Sequence, residues 1–199
     1  MADTDCTVNH WSFPVSLYTR NGVAEACLAL QDQAGVDVCV LLAALLAARI
    51  RQRPLSATEV AQADQHVQAW RTQVVLPLRA IRRRLKTGPQ PAPTDATDAL
   101  RQSVKACELA AERLQLEALA ACLDGLPNAA PADDPTDDPA EASAGQRLAN
   151  LTQTAYRVLS HFAPDPQDPA ALPALQALAR QVAAAAQDVP LQHPCHRDG

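Results

Sequence analysis

Val38-Cys39-Val40-Leu41-Leu42-Ala43-Ala44-Leu45-Leu46-Ala47-Ala48 is the longest apolar run in the 199-residue chain. It is too short to cross a bilayer, which takes about 20 residues. Alanine and leucine favour helix over strand. Asp37 stands where a helix cap belongs, and the pattern continues to about Arg51. A helix apolar on nearly all sides must be surrounded. The run is therefore read as the central helix of an all-α fold.

Composition agrees. Hydrophobic residues are 48% of the chain and aromatics 3%. Forty-one residues are alanine and only two are isoleucine, which argues against sheet. Alanine buries little area, so the core must be concentrated in part of the chain.

Upstream of the run, Ser12 is read as the cap of a short helix carrying Phe13, Leu17 and Tyr18. Asn21 and Gly22 start a second helix, with Val23, Cys27 and Leu30 on one face and Gly35 as its stop. Downstream, Ser56 and Glu59 form a capping-box pattern. Val60, Val67, Val74 and Ile81 then recur every seven residues, with Trp70, Leu78 and Leu85 beside them. This predicts one long amphipathic helix, kinked near Pro77. Thr97 is read as the cap of a fifth helix to about Leu126, with Leu100, Val104, Cys107, Ala111 and Leu114 on one face. Stripes at Leu148 to Phe162 and at Leu175 to Val182 predict two further helices.

Sixteen prolines cluster between these patterns, where they break helices. The resulting fold class is all-α: an orthogonal or up-down bundle of about five helices, followed by a proline-rich, acidic-linked C-terminal helical extension. The expected divisions are residues 11–126 for the bundle, 127–145 for the acidic linker, 146–187 for a helical pair and 188–199 for a flexible tail.

Several separated strings resemble a proteobacterial domain-of-unknown-function family of small helical proteins. They are Trp11-Ser12-Phe13, Ser16-Leu17-Tyr18, Gly22 to Leu28, Leu30-Gln31-Asp32 and Gly35 to Val38. Trp70-Arg71, Val75 to Leu85, Val104-Lys105 and Ala111 to Gln115 continue the match. The resemblance covers roughly residues 11–120. It implies a small cytoplasmic helical protein and carries no catalytic residue with it. The chain departs from the family pattern at Cys39, Ala43 and Ala44, where asparagine and bulky aromatics stand.

Charge is unevenly distributed. Residues 1–92 hold ten basic against seven acidic residues, and residues 93–199 seven against fifteen. Arg79, Arg82, Arg83 and Lys86 share one helix face, with Arg84 off it, and form a candidate partner-binding stripe. Gln31, Asp32, Asp37 and Arg71 form a candidate polar site, in which Asp32 could pair with Arg71 or Arg79. Glu108 and Glu112 sit four apart, but no Glu-x-x-His accompanies them, so surface pairing with Arg101 and Lys105 is the expectation. His193, Cys195 and His196 lack a fourth zinc ligand. Cys27, Cys39, Cys107 and Cys122 fall on apolar faces as small core residues.

These readings give a cytoplasmic, non-enzymatic adaptor or regulatory protein with a protein partner, no membrane contact, no cofactor and no metal. One alternative is an RNA- or ribosome-associated factor using the stripe at 79–86. A second is an enzyme with a polar cavity inside the bundle that holds several of Asp32, Asp37, Tyr18, Arg49 and Arg71.

Overall fold

A computed structural model describes residues 10–127, 144–163 and 171–191. The described residues are helical, with no strand among them. The chain runs through α1 (Ser12–Tyr18), α2 (Val23–Ala34), α3 (Val38–Arg51) and α4 (Ala57–Trp70). A π-helical segment (Arg71–Val75) joins α4 to α5 (Leu76–Arg84), and α6 (Asp95–Gly125), α7 (Ala144–Phe162) and α8 (Leu172–Gln187) follow.

The apolar run forms α3, and every residue from Val40 to Ala48 is buried. Asp37 caps it as expected, its Oδ1 accepting from the Cys39 and Val40 amides at 2.8 and 3.3 Å. Gly22 and Gly35 bound α2 with φ of 74° and 65°, values that glycine adopts without strain. A Cβ on Gly22 would also lie 2.5 Å from Gln181 Nε2. Two boundaries move slightly. Trp11, not Ser12, occupies the cap position of α1. Thr94, not Thr97, caps α6: Thr94 Oγ1 accepts the Thr97 amide at 3.2 Å, and Thr97 Oγ1 accepts the Thr94 amide at 2.8 Å. Threonine suits both positions of this reciprocal pair, so the spacing pointed to the wrong partner.

The C-terminal helices are not an appendage. Leu151, Ala155, Val158 and Leu159 of α7, and Leu175, Ala179, Val182 and Ala183 of α8, belong to the same buried cluster as α3. The alanine runs let α8 approach closely. The break near residue 126 is thus one of composition, not of packing. Polar contacts secure the arrangement. Arg49 donates to the carbonyls of Ala186 (2.7 Å) and Gln187, and Arg20 to that of Asp188 (2.9 Å). These cations sit where the α8 dipole is negative. The turn between α3 and α4 depends on α7: Thr154 Oγ1 accepts the Leu55 amide, Asn150 donates to the Gln52 carbonyl and Arg157 to that of Leu55. The acidic stretch expected at 127–145 falls largely outside the described residues, as do residues 192–199 with the His193, Cys195 and His196 cluster. No helix among the described residues is long and apolar enough to cross a membrane.

Glu59 closes the other end of α3. Arg51 and Arg53 each reach its carboxylate at 2.7 Å, while Ser56 completes the predicted capping box. The hydrogen-bonded Arg53 guanidinium holds the Glu59 carboxyl down to about 2, against the opposing effect of burial. A carboxyl depressed in the folded state stabilises the fold above its unfolded value and loses that stabilisation as pH falls toward the folded one.

Two outcomes follow from this packing. A chain ended after Pro127 should lose cooperative thermal unfolding by circular dichroism. Each large side chain uncovered from α7 and α8 forfeits roughly 1.5–3 kcal/mol, and several together exceed the roughly 5–15 kcal/mol that holds a domain folded. Glu59→Gln should lower stability at neutral pH by roughly 2–3 kcal/mol in urea titrations. It should also flatten the loss of stability that the parent chain shows between about pH 4.5 and pH 2.

Candidate functional site

The geometry of the polar residues starts from Pro77. Its ring would clash with the carbonyl four residues earlier, that of Gln73, and it has no amide to donate. The helix widens just upstream: the Leu76 amide bonds to the Arg71 carbonyl, five residues back. One residue is thereby inserted into the helical period. The heptad predicted buried positions at 60, 67, 74 and 81. Val60, Val67 and Val75 are buried, and the next inward position falls to Arg82. Ile81 is turned outward and is 49% exposed. The disturbance expected at Pro77 lies just before it and shifts the register.

The shift aims Arg79 and Arg82 at α6. Arg79 Nε donates to Glu108 Oε1 at 2.9 Å, its Nη2 to Glu112 Oε1 at 2.5 Å, and its Nη1 to Gln31 Oε1 on α2 at 2.5 Å. Arg82 pairs with Glu108 through both oxygens. The two glutamates therefore hold arginines of α5, not Arg101 or Lys105. Arg101 pairs with Asp98 at 2.8 Å.

A second set lies about two turns back, at the π-helical segment. Asp37 Oδ2 accepts from Gln115 Nε2 at 2.7 Å and from Arg71 Nη1 at 3.2 Å. Arg71 also pairs with Asp64, whose other oxygen meets His161 Nε2 at 2.9 Å. The Arg71 guanidinium lies 5.5 Å from the Phe162 ring centroid, within cation–π range. Asp64, Gln115 and His161 were not singled out from sequence. They reach the site across up to 97 positions, and no local pattern marks them. The i, i+4 glutamates facing the α5 arginines were the legible signal.

Of the candidate polar site, the structure brings Asp37 and Arg71 together, and it reaches Gln31 through Arg79. Asp32 lies outside. It pairs with Arg83 at 3.1 Å with both side chains more than half exposed, an interaction worth about 0–1 kcal/mol, not with Arg71 or Arg79. Arg49 is spent on the end of α8. Of the residues named for the enzymatic alternative, Asp37 and Arg71 meet, while Asp32 and Arg49 are engaged elsewhere. Of the basic stripe, Arg79 and Arg82 are turned inward, while Arg84 and Lys86 are exposed and form no ion pair among the described residues. Cys27 is buried and Cys39 and Cys122 half-buried, but Cys107 is exposed, against its expected core placement.

Burial pushes the Glu108 carboxyl up, yet the hydrogen bonds from Arg82 and Arg79 outweigh it and the net displacement is downward. Glu112 goes the other way. Burial raises it, Arg79 offsets this in part, and Glu108 and Asp37 add to the rise. Burial likewise raises Tyr18, aided by the negative charge of Glu112. Burial lifts the Cys39 thiol well above its ordinary value, and the nearby Asp37 and Glu112 charges add to it. No group of three or more His, Cys, Asp or Glu among the described residues is placed to hold a metal ion. Two surface depressions lie away from these residues. One, with room of only about 10 Å³, lies between α3 and α6 at His10, Leu46, Ile50 and Leu123, and a more open one of about 470 Å³ meets α7 and α8 at Tyr156 and Arg180. The arrangement thus binds helices to one another with its reactive groups turned inward.

Residues 9–119 match a family described as a protein of unknown function (DUF2390). No curated protein and no solved structure matches the chain.

The opposite displacements of the two glutamates order their variants. Glu108→Gln strands two arginines and should lower stability by about 3–5 kcal/mol. Glu112→Gln replaces a carboxyl already biased toward its neutral form and should cost under about 1.5 kcal/mol. Urea midpoints of the two variants, compared with the parent, measure the order.

Proposed function

We propose that this chain, which belongs to the DUF2390 family, is a non-enzymatic adaptor that binds an acidic protein surface through the end of α5. The supporting observation is the outer face and free end of that helix. Arg84 and Lys86 are exposed there, with Arg83 tied only to exposed Asp32. Leu76 and Ile81 stand beside them, 43% and 49% exposed. Apolar contact flanked by cations is the make-up of a protein-binding surface, with the charges steering encounter. The polar interior supports the same reading, since its arginines and carboxylates are paired with one another. A cytoplasmic location accords with this role.

The RNA- or ribosome-associated alternative is weakened by the same geometry. With Arg79 and Arg82 committed inside, two or three of the five stripe cations remain for phosphates. The slope of log affinity against log salt would then be only about −2 to −3.

The test is a tagged pull-down from the native cell with crosslinking and mass spectrometry, run beside an Arg84→Glu/Lys86→Glu variant. Neither side chain holds the fold, so the variant should unfold at the parent temperature. The expected result is an acidic protein crosslinked at 76–86 by the parent and at least tenfold depleted with the variant. Equal recovery with both proteins overturns the assignment. So does RNA held with a salt slope steeper than about −4.

A further inference from the structure

The polar interior has one carboxylate too many. Asp37, Asp64, Glu108 and Glu112 bring four carboxylates into ties with three guanidiniums, those of Arg71, Arg79 and Arg82. Arg71 is divided between Asp37 and Asp64, and Asp64 has His161 besides. Arg82 is given to Glu108 through both oxygens. Arg79 spreads its donors over Glu108, Glu112 and Gln31. Glu112 is therefore the carboxyl served least, by a single donor of a shared cation.

The other neighbours of Glu112 do not make up the difference. Glu108, one turn earlier on α6, and Asp37, at the start of α3, set negative charge against it. Arg71 stands beyond Asp37 and is already paired with it. Tyr18 of α1, Gln31 of α2 and Cys39 of α3 bring no cation. A partly buried carboxylate placed so is costly to keep ionised.

A second shortfall lies beside the first. Gln115 is 1% exposed, and its Nε2 donates to Asp37 Oδ2 at 2.7 Å. Asp37, an acceptor of two backbone amides and of Arg71, fixes which end of the carboxamide faces it. Gln115 Oε1 is then a buried acceptor with no donor among the described residues, and such atoms rarely persist in folded proteins. Gln115 follows Glu112 by three residues, so the two side chains are neighbours on one face of α6. The interior thus lacks one donor and carries one surplus negative charge, and a single hydrogen on Glu112 corrects both.

We infer that Glu112 is a proton-binding site of the folded chain, its hydrogen directed to Gln115 Oε1. Burial, which raises the Glu112 carboxyl, acts in the same sense. The proton joins two polar sets that are otherwise separate, since Arg79, Glu112, Gln115, Asp37 and Arg71 then form one chain from the seat of α5 to the cap of α3. Losing it breaks that chain and sets three negative charges facing one another. The inference does not use the exposed end of α5 and stands apart from the acidic-partner reading.

For a carboxyl raised by folding, the stabilisation is fully present below its unfolded value and is lost as pH rises through the folded one, the reverse of Glu59. Carbon-13 NMR of the full chain labelled at glutamate carboxyls, with the Glu112 signal assigned by its absence in Glu112→Gln, follows the proton directly. Glu112 should lose it at higher pH in the folded chain than in the same chain unfolded in urea. Gln115→Met removes the acceptor and should bring that loss to lower pH. The urea midpoint of Glu112→Gln should rise relative to that of the parent as pH goes from about 4 to about 8, the range over which a raised carboxyl ionises. A Glu112 that ionises in the folded chain at the unfolded pH or below overturns the inference. So does a midpoint difference between Glu112→Gln and the parent that stays constant with pH, the result of a merely structural role.

Discussion

The Asp37 carboxylate is the contact on which the helices most depend for their relative position. One oxygen starts α3 and the other receives Gln115 from α6 and Arg71 from the π-helical segment. The reason lies in α3 itself. From Val40 to Ala48 it is buried and apolar all round, and apolar contact is non-directional. Sliding or rotating such a helix exchanges one hydrophobic neighbour for another at little cost. A carboxylate committed to three helices cannot be exchanged in that way. Losing it would remove a helix cap, worth about 0.5–2 kcal/mol, and leave a largely buried arginine short of a partner.

The same logic explains which parts of the fold can be read from the sequence. The apolar run, the Asp37 cap, the Ser56–Glu59 box and the α2 glycines are local, and each appears where its residues predict. The heptad of Val60 and Val67 also holds while the helix keeps one period. It fails at Val74, because Pro77 displaces a carbonyl, and one extra residue enters the turn. Nothing in the heptad itself reports that insertion. The place of α7 and α8 in the core was hidden for a different reason. The buried face of α8 is largely alanine (Ala179, Ala183 and Ala186), which carries a weak hydrophobic signal per residue, and the stripe of α7, though visible, does not say what it packs against. Only packing against α3 and α2 gives those faces their meaning. The pairing of Asp64 with His161 joins distant segments and has no local signature.

Charge polarisation along the chain acquires a structural account. The basic excess of residues 49–86 is mostly consumed inside the molecule. Arg51 and Arg53 hold Glu59, Arg71 holds Asp37 and Asp64, and Arg79 and Arg82 hold the α6 glutamates. Arg49 terminates α8. What looks in sequence like a cationic surface is largely a set of ties to later parts of the chain. Counting cations on a helical wheel overstates a binding stripe wherever a neighbouring helix carries carboxylates at i, i+4.

An ionic contact between α5 and α6 is not an obvious source of stability, because desolvation offsets much of the attraction. Its value is positional. Arg79 can satisfy Gln31, Glu108 and Glu112 together in only one register of α5 against α6. A slip by one turn would leave Glu108 buried without a cation, a loss of about 3–5 kcal/mol, whereas a seam of leucines would tolerate that slip. With the register fixed by charge, the apolar residues of α6 are released from holding the α5–α6 pair together. Leu100, Leu109 and Leu114 accordingly stand about half-exposed on that helix, while Leu116, Leu119 and Leu123 further along it remain in the core.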